Sequence, residues 1–135
     1  MPEKNYQDRD VLGKLGIKPG HAVAFAGAID AELRQRIRTH TGRPPATEDE
    51  SVDVVLAMLN PTDNLVELLK NWRMRLAPDG GIWLLTMKRG QPGYIDQREL
   101  IAAGKIAEVV DNKICSISST ISAMRFVIRL KDREV

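Results

Sequence analysis

The chain of 135 residues is 43% hydrophobic, 28% charged and 4% aromatic, with a formal net charge of +2. This composition excludes a disordered or fibrous protein, and so small a net charge and so few aromatic rings argue against nucleic acid as a partner. The length predicts one domain over residues 1–135. No apolar run reaches the roughly 18 residues that cross a bilayer, and the polar start lacks a secretory signal. We therefore expect a cytoplasmic protein that does not bind membranes, which agrees with its single cysteine, Cys115.

The first half of the chain predicts one strand and one helix before a long loop. The expected elements are a flexible tail (1–8), a helical turn (10–15), a strand (21–26) closed by Gly27, a helix capped by Asp30, and a loop (41–50). The strand is predicted from a short apolar run that ends at a glycine. The loop has proline and charge signals and no strand pattern.

The second half predicts two more buried strands, two helices and a terminal pair of strands. The expected elements are a strand (52–59), a helix capped by Thr62, a strand (82–87), a helix from Asp96 to about Ala107, and two strands (113–117 and 124–130) joined by a serine-rich turn. The first two strands are almost wholly apolar, which is typical of parallel strands covered on both faces. The last strand alternates two sets of residues, which favours an antiparallel strand with one half-exposed face. The apolar set is Met124, Phe126, Ile128 and Leu130, and the half-exposed set is Arg125, Val127 and Arg129.

Strands that alternate with helices and end in a strand pair indicate an α/β sheet with helices on both faces. Residues 76–85 resemble the helix–turn–strand that leads into the fifth strand of class I methyltransferases. Three stretches (12–20, 80–88, and 110–117 followed by 125–127) resemble domain-of-unknown-function family 3052, a bacterial family of short methyltransferase-like domains. The resemblance spans nearly the whole chain. It implies a Rossmann-like three-layer sandwich with a mostly parallel sheet and an antiparallel C-terminal strand, but it supplies no activity.

Two positions depart from the family pattern. Ile121 stands where relatives tend to have tryptophan, which weakens any argument for an aromatic ligand platform. Glu108 stands where relatives often end a helix with glycine.

The methyltransferase resemblance raises the question of an S-adenosylmethionine site. Such a site needs a glycine-rich turn after the first strand and an acidic residue at the end of the second. The first turn here has one glycine, Gly27, and the place of the second strand is taken by the loop with its acidic residues 48–50. We therefore expect no cofactor. The alternative is a small methyltransferase with an atypical turn, in which Gly27 and Asp30 lie near the cofactor and Asn60 near the substrate.

The carboxyl ends of the predicted parallel strands offer a different site, because open α/β sheets bind ligands at that edge. The side chains and glycine expected there are Gly27, Asn60, Thr86, Lys88 and Arg89. Lys88 and Arg89 directly follow a buried strand and favour a small anionic ligand or a protein partner. The alternative is that both cations are only solvated loop residues.

Other chemistry has little support in the sequence. The chain has no G-x-G-x-x-G or Walker A pattern, and no G-x-S-x-G elbow for a hydrolase. His21, His40 and Cys115 lack the short spacing of zinc ligands, so we assign no metal ligand and no catalytic residue. The sequence thus favours a non-catalytic binding domain. The rival hypotheses are the methyltransferase and a purely structural subunit whose strand-end surface is filled.

Overall fold

Strands and helices alternate along the chain up to its last helix, which is followed by a β-hairpin. The computed structural model describes residues 11–133. The strands are β1 (Val23–Ala26), β2 (Val52–Met58), β3 (Leu76–Met87), β4 (Val109–Ser116) and β5 (Ile121–Ile128). The α-helices are α1 (Ala31–Thr41), α2 (Leu65–Arg75) and α3 (Gln97–Ala107), with a helical segment at 11–15 and a 3₁₀ turn at Leu130–Asp132. The predicted tail at 1–8 lies outside the described residues. Within them, no helix has the length and apolar character to span a membrane.

The five strands form one mixed sheet in the order β1-β2-β3-β5-β4. Strands β1, β2 and β3 are parallel, whereas β5 runs antiparallel to both of its neighbours. The carboxyl ends of β1, β2, β3 and β4 therefore meet at one edge of the sheet, where the β4–β5 hairpin also turns. This arrangement confirms the predicted α/β sandwich with an antiparallel C-terminal strand.

Each face of the sheet is covered by a separate apolar cluster. On face A, Leu84 and Phe126 of the sheet pack with Leu69 of α2 and Leu100 of α3. Burial of these side chains holds both helices on that face.

Face B, the opposite side, packs its apolar side chains against α1 and the segment 11–15. Trp83 lies in this cluster with Ile37 and Leu15, and its indole Nε1 donates a hydrogen bond to the Leu15 carbonyl at 3.1 Å. The helices thus lie on both faces, as the α/β pattern predicts.

Strand β1 is the edge of the sheet, and the loop 42–51 runs along its outer side. The amide of Ala46 donates to the Val23 carbonyl at 2.8 Å, whereas the next carbonyl back, that of Ala22, accepts from Asp53 at the start of β2. Because neighbouring residues of a strand direct their backbone groups to opposite sides, Ala46 occupies the side of β1 away from β2. A loop, rather than a further strand, therefore borders β1 within the described residues.

Several predicted boundaries were wrong. Helix α2 is capped by Asn64, whose side chain accepts from the Glu67 amide, and not by Thr62. Strand β3 begins at Leu76 instead of residue 82, because Leu76 already pairs with Val52 of β2. The residues between Leu76 and Gly81, which include the predicted proline–glycine turn, form a bulge in this pairing. Both hairpin strands also begin earlier than predicted.

The last strand is more buried than its alternating sequence suggested. Val127, predicted to be half-exposed, is 5% exposed, whereas Leu130 beyond the strand is 80% exposed. Since Val127 pairs with Val110 in β4, the neighbouring strand shields a side chain that the alternation of β5 alone assigned to solvent.

Glu108 ends helix α3 in the left-handed conformation, with φ at 65°, and its amide donates to the Gly104 carbonyl. A residue with a Cβ is strained there, whereas glycine is not. We expect Glu108→Gly to raise the free energy of unfolding by about 1 kcal/mol, measured by urea denaturation. The control is Glu99→Gly inside the same helix, which should lower it by about 1 kcal/mol. A loss of stability in Glu108→Gly would contradict the strained cap.

Candidate functional site

Three hydroxyl side chains form a row at the carboxyl edge of the sheet. Thr86 of β3 pairs in register with Ser122 of β5, which in turn pairs with Ser116 of β4. Cross-strand partners share a face, and Thr86 lies two residues beyond Leu84, so the row lies on face A. The order of the strands thus brings together three hydroxyls that are distant in the sequence.

Lys88 follows Thr86 by two residues and extends over the same row. Its Nζ donates to Ser116 Oγ at 2.7 Å, while its backbone amide donates to the Thr120 carbonyl at 2.8 Å. The hydroxyl partner is neutral, and among residues 11–133 no carboxylate forms an ion pair with Lys88. The ammonium charge is therefore fixed in place but not neutralised.

Arg89 lies beside Tyr94 in the loop that connects β3 to α3. Its guanidinium carbon is 5.8 Å from the centroid of the Tyr94 ring, within the range of a cation–π contact, and Nη2 is 3.5 Å from the phenol oxygen. A single parallel bridge joins Tyr94 to Met87 at the end of β3. The loop therefore folds back along the strand end and presents a cation and an aromatic ring there.

The first turn of α3 lies opposite the end of β3, across the space that Lys88 and Arg89 border. The Asp96 carboxylate caps the helix by accepting from the Arg98 amide at 2.8 Å, and it also accepts from Arg98 Nε at 3.1 Å and Nη2 at 2.9 Å. The Arg98 guanidinium and backbone amide hold the pKa of Asp96 at about 2, well below its usual value. Asp96 therefore stays ionised at neutral pH and neutralises Arg98.

These groups enclose a cleft of about 410 Å³ between the end of β3 and the start of α3. Its polar walls are formed by Thr86, Lys88, Arg89, Tyr94, Asp96, Gln97, Arg98 and Ser122. Three cations and one carboxylate leave the cleft with a net charge of +2. The cleft can therefore accept hydrogen-bond acceptors and negative charge.

Three of the candidate residues, Thr86, Lys88 and Arg89, line this one cleft. Tyr94, Arg98 and Ser122 line it too, although the sequence did not single them out as site residues. The predicted helix start at Asp96 was a signal for Arg98, because it places the first helical turn near the end of β3. Ser122 carried no such signal, since its position depends on the hairpin register.

Asn60 lies in a different turn, after β2. Its backbone amide donates to the Asp63 carboxylate at 2.8 Å, and its backbone carbonyl accepts from the backbone amide of Asp63 at 3.0 Å. Asn60 is exposed and does not line the cleft. The turn that it forms leads directly into the cap of α2.

Gly27 and Asp30 lie after β1 and have structural roles. Gly27 has φ at 76°, and a Cβ added there would lie 2.4 Å from the Met58 carbonyl oxygen of β2. The space that its missing side chain leaves is thus filled by the neighbouring strand. Asp30 Oδ2 accepts from the Leu33 amide at 3.1 Å and caps α1, as predicted.

Among the acidic residues of the loop, Glu48 and Asp49 are exposed, whereas Glu50 is bound within the loop. Glu50 pairs with Arg43 and accepts from the Thr47 amide at 2.8 Å. Since β1 is the edge strand, no second strand within the described residues directs an acid toward its carboxyl end. Gly27, Asp30 and this loop therefore do not form the glycine turn and ribose-binding acid that S-adenosylmethionine requires.

The histidines and the cysteine make local contacts. His40 Nε2 lies 2.9 Å from the Ile17 carbonyl, and His21 Nδ1 accepts from the Lys18 amide at 3.2 Å. Residues 11–133 contain no group of three side chains suited to a metal ion. Burial raises the pKa of the half-buried Cys115 thiol, which lowers its reactivity as a nucleophile.

Solved structures with the same fold include S-adenosylmethionine-dependent methyltransferases. One from Aquifex aeolicus matches with a TM-score of 0.69 at 11% identity, covering 90% of this chain and 89% of that chain. A TehB-like S-adenosylmethionine-dependent methyltransferase from Corynebacterium glutamicum matches with a TM-score of 0.59 at 10% identity, covering 91% of this chain and 87% of that chain. At such identities the likeness establishes the fold alone.

Sequence relatives share more identity. Uncharacterized proteins of Mycobacterium bovis and Mycobacterium tuberculosis are 32% identical to this chain in an alignment of 120 positions that covers 84% of this chain and 75% of each relative. The family described as protein of unknown function DUF3052 matches residues 13–130. This chain therefore belongs to the DUF3052 family, and its fold is that of the class I methyltransferases.

Proposed function

We propose that this protein binds a small anionic ligand in the cleft between β3 and α3. The observation that carries the proposal is the pair Lys88 and Arg89, two cations without a carboxylate partner in the described chain, at the edge where open α/β sheets bind ligands. Attraction to an anion is strengthened because the cleft is partly shielded from water. A cytoplasmic location suits this function, as the half-buried, unpaired Cys115 fits a reducing compartment.

Methyl transfer from S-adenosylmethionine is the second candidate function, and the methyltransferases among the structural neighbours favour it. The residues of this chain argue against it. The Met58 carbonyl fills the space beside Gly27, and the Asp30 carboxylate is bound to the backbone of α1. We therefore derive no methyl-transfer step.

A protein partner that inserts an acidic side chain into the cleft is a further form of the same anion-binding function.

The test is a calorimetric titration with sulfate at constant ionic strength. We expect saturable binding to the wild-type protein, and a dissociation constant at least roughly tenfold weaker in the double variant Lys88→Gln/Arg89→Gln, because each charged hydrogen bond contributes more than a neutral one. The matched control, Lys70→Gln/Lys105→Gln, removes the same charge from α2 and α3. Equal weakening in both double variants would show that only overall charge matters and would contradict a specific site, as would the absence of binding.

A further inference from the structure

We propose that the anionic group bound in the cleft is a phosphoryl group, carried by a phosphate monoester, rather than a carboxylate. This inference rests on the proposed anion-binding function and names its ligand class. Three features of the cleft support it: the amount of charge left unpaired, a hydroxyl that no protein group bonds, and the directions from which the donors approach.

The unpaired charge matches a dianion. Arg98 donates from Nε and Nη2 to the Asp96 carboxylate, so its positive charge is neutralised there. Lys88 and Arg89 remain, and their bonds are to the neutral Ser116 hydroxyl and the Tyr94 phenol. A phosphate monoester carries a charge of about −1.5 to −2 at neutral pH, whereas one carboxylate carries a single charge.

Thr86 supplies a donor that the protein itself does not use. The residue is only 7% exposed and lines the cleft, and its hydroxyl has no hydrogen-bond partner among residues 11–133. The hydroxyl oxygen is open to the cleft rather than sealed from solvent, so it is free to donate to a molecule that enters. A ligand oxygen in the cleft would satisfy it.

The donors also approach from more than one direction. Thr86 and Ser122 are cross-strand neighbours and both line the cleft from the sheet, while Arg89 enters from the connecting loop. Three oxygens arranged around phosphorus can meet such donors together. The two oxygens of one carboxylate lie in a plane and meet fewer of these donors at once.

A panel of small anions tests the ligand class in two-dimensional amide NMR titrations at constant ionic strength. The probes are methyl phosphate, sulfate, malonate and acetate. We expect methyl phosphate and sulfate to bind at least roughly tenfold more tightly than malonate or acetate, because only they use the hydroxyl donors together with the cations. They should shift the amide signals of Thr86, Lys88 and Ser122.

Lowering the pH tests whether binding depends on the charge of the ligand or on its tetrahedral shape. Protonation of methyl phosphate, with a pKa near 6, should weaken its binding between about pH 8 and about pH 5, while sulfate stays a dianion. Malonate binding as tightly as methyl phosphate would overturn the phosphoryl inference and leave the anion site intact. Absence of binding by all four probes would overturn both proposals.

Thr86→Val tests the unused hydroxyl, since valine keeps the shape of the side chain. Because no protein group bonds the hydroxyl and solvent reaches it, we expect little change in Tm together with methyl phosphate binding weakened by roughly tenfold. Ser122→Ala should weaken binding as well and serves as a second variant at a half-buried position. The control Ser119→Ala, at the exposed hairpin tip, should change neither. Unchanged affinity for methyl phosphate in Thr86→Val or in Ser122→Ala would overturn the inference.

Discussion

Gly27→Ala is expected to lower the free energy of unfolding by about 3–4 kcal/mol, of which about 1–2 comes from left-handed strain and the rest from overpacking. The strain arises because φ at this position is 76°. The overpacking arises because the new Cβ would lie 2.4 Å from the Met58 carbonyl oxygen, and neither backbone can move away without breaking the β1–β2 pairing. Urea denaturation of the variant measures the loss.

Gly16→Ala is the matched control for this substitution. Gly16 has φ at 70° but no atom within 4 Å of an added Cβ, so only the conformational strain applies. We expect a loss of about 1–2 kcal/mol there. Equal losses in the two variants would mean that the turn after β1 has room, which would contradict our explanation of why a nucleoside does not fit beside it.

Trp83→Leu is expected to lower the free energy of unfolding by about 3 kcal/mol or more, because it leaves a cavity and removes a buried hydrogen bond. Trp83 is 1% exposed, and its indole is the group that bonds the Leu15 carbonyl. The segment 11–15 should then detach more readily from face B. Chemical denaturation measures the first effect, and amide hydrogen exchange at Leu15 and Ile17 measures the second.

Trp72→Leu makes the same chemical change on α2 and serves as the control. Trp72 is only partly buried and packs at the margin of the face A cluster, next to Arg75. We expect a loss of about 1 kcal/mol and unchanged exchange at Leu15. A Trp83→Leu protein as stable as this control would show that the indole does not fix the N-terminal segment.

The features that the sequence predicted well are local ones. Continuous apolar runs marked the buried strands, and the caps at Asp30 and Asp96 depend on contacts within three residues. Lys88 and Arg89 followed from the same logic, since a residue directly after a parallel strand must lie at the carboxyl edge. Much of the strand–helix order and three residues of the cleft, Thr86, Lys88 and Arg89, were therefore accessible from the sequence.

The remaining features depend on pairing between distant segments. The bulge that lets β3 begin at Leu76 is set by its register with Val52, which no pattern within residues 76–81 encodes. Ser122 enters the cleft only because the hairpin register places it beside Thr86. Tyr94 reaches the strand end through a bridge to Met87 within an irregular loop.

The central claim is that this methyltransferase fold binds its ligand at the β3–α3 cleft and not in the turn after β1. Amide NMR spectra of the wild-type protein, recorded with methyl phosphate and separately with S-adenosylhomocysteine, test it directly. We predict that methyl phosphate shifts the signals of Thr86, Lys88 and Ser122, and that S-adenosylhomocysteine leaves Gly27 and Asp30 unchanged. Micromolar binding of S-adenosylhomocysteine with shifts at Gly27 and Asp30 would contradict the claim and support the alternative hypothesis of a methyltransferase.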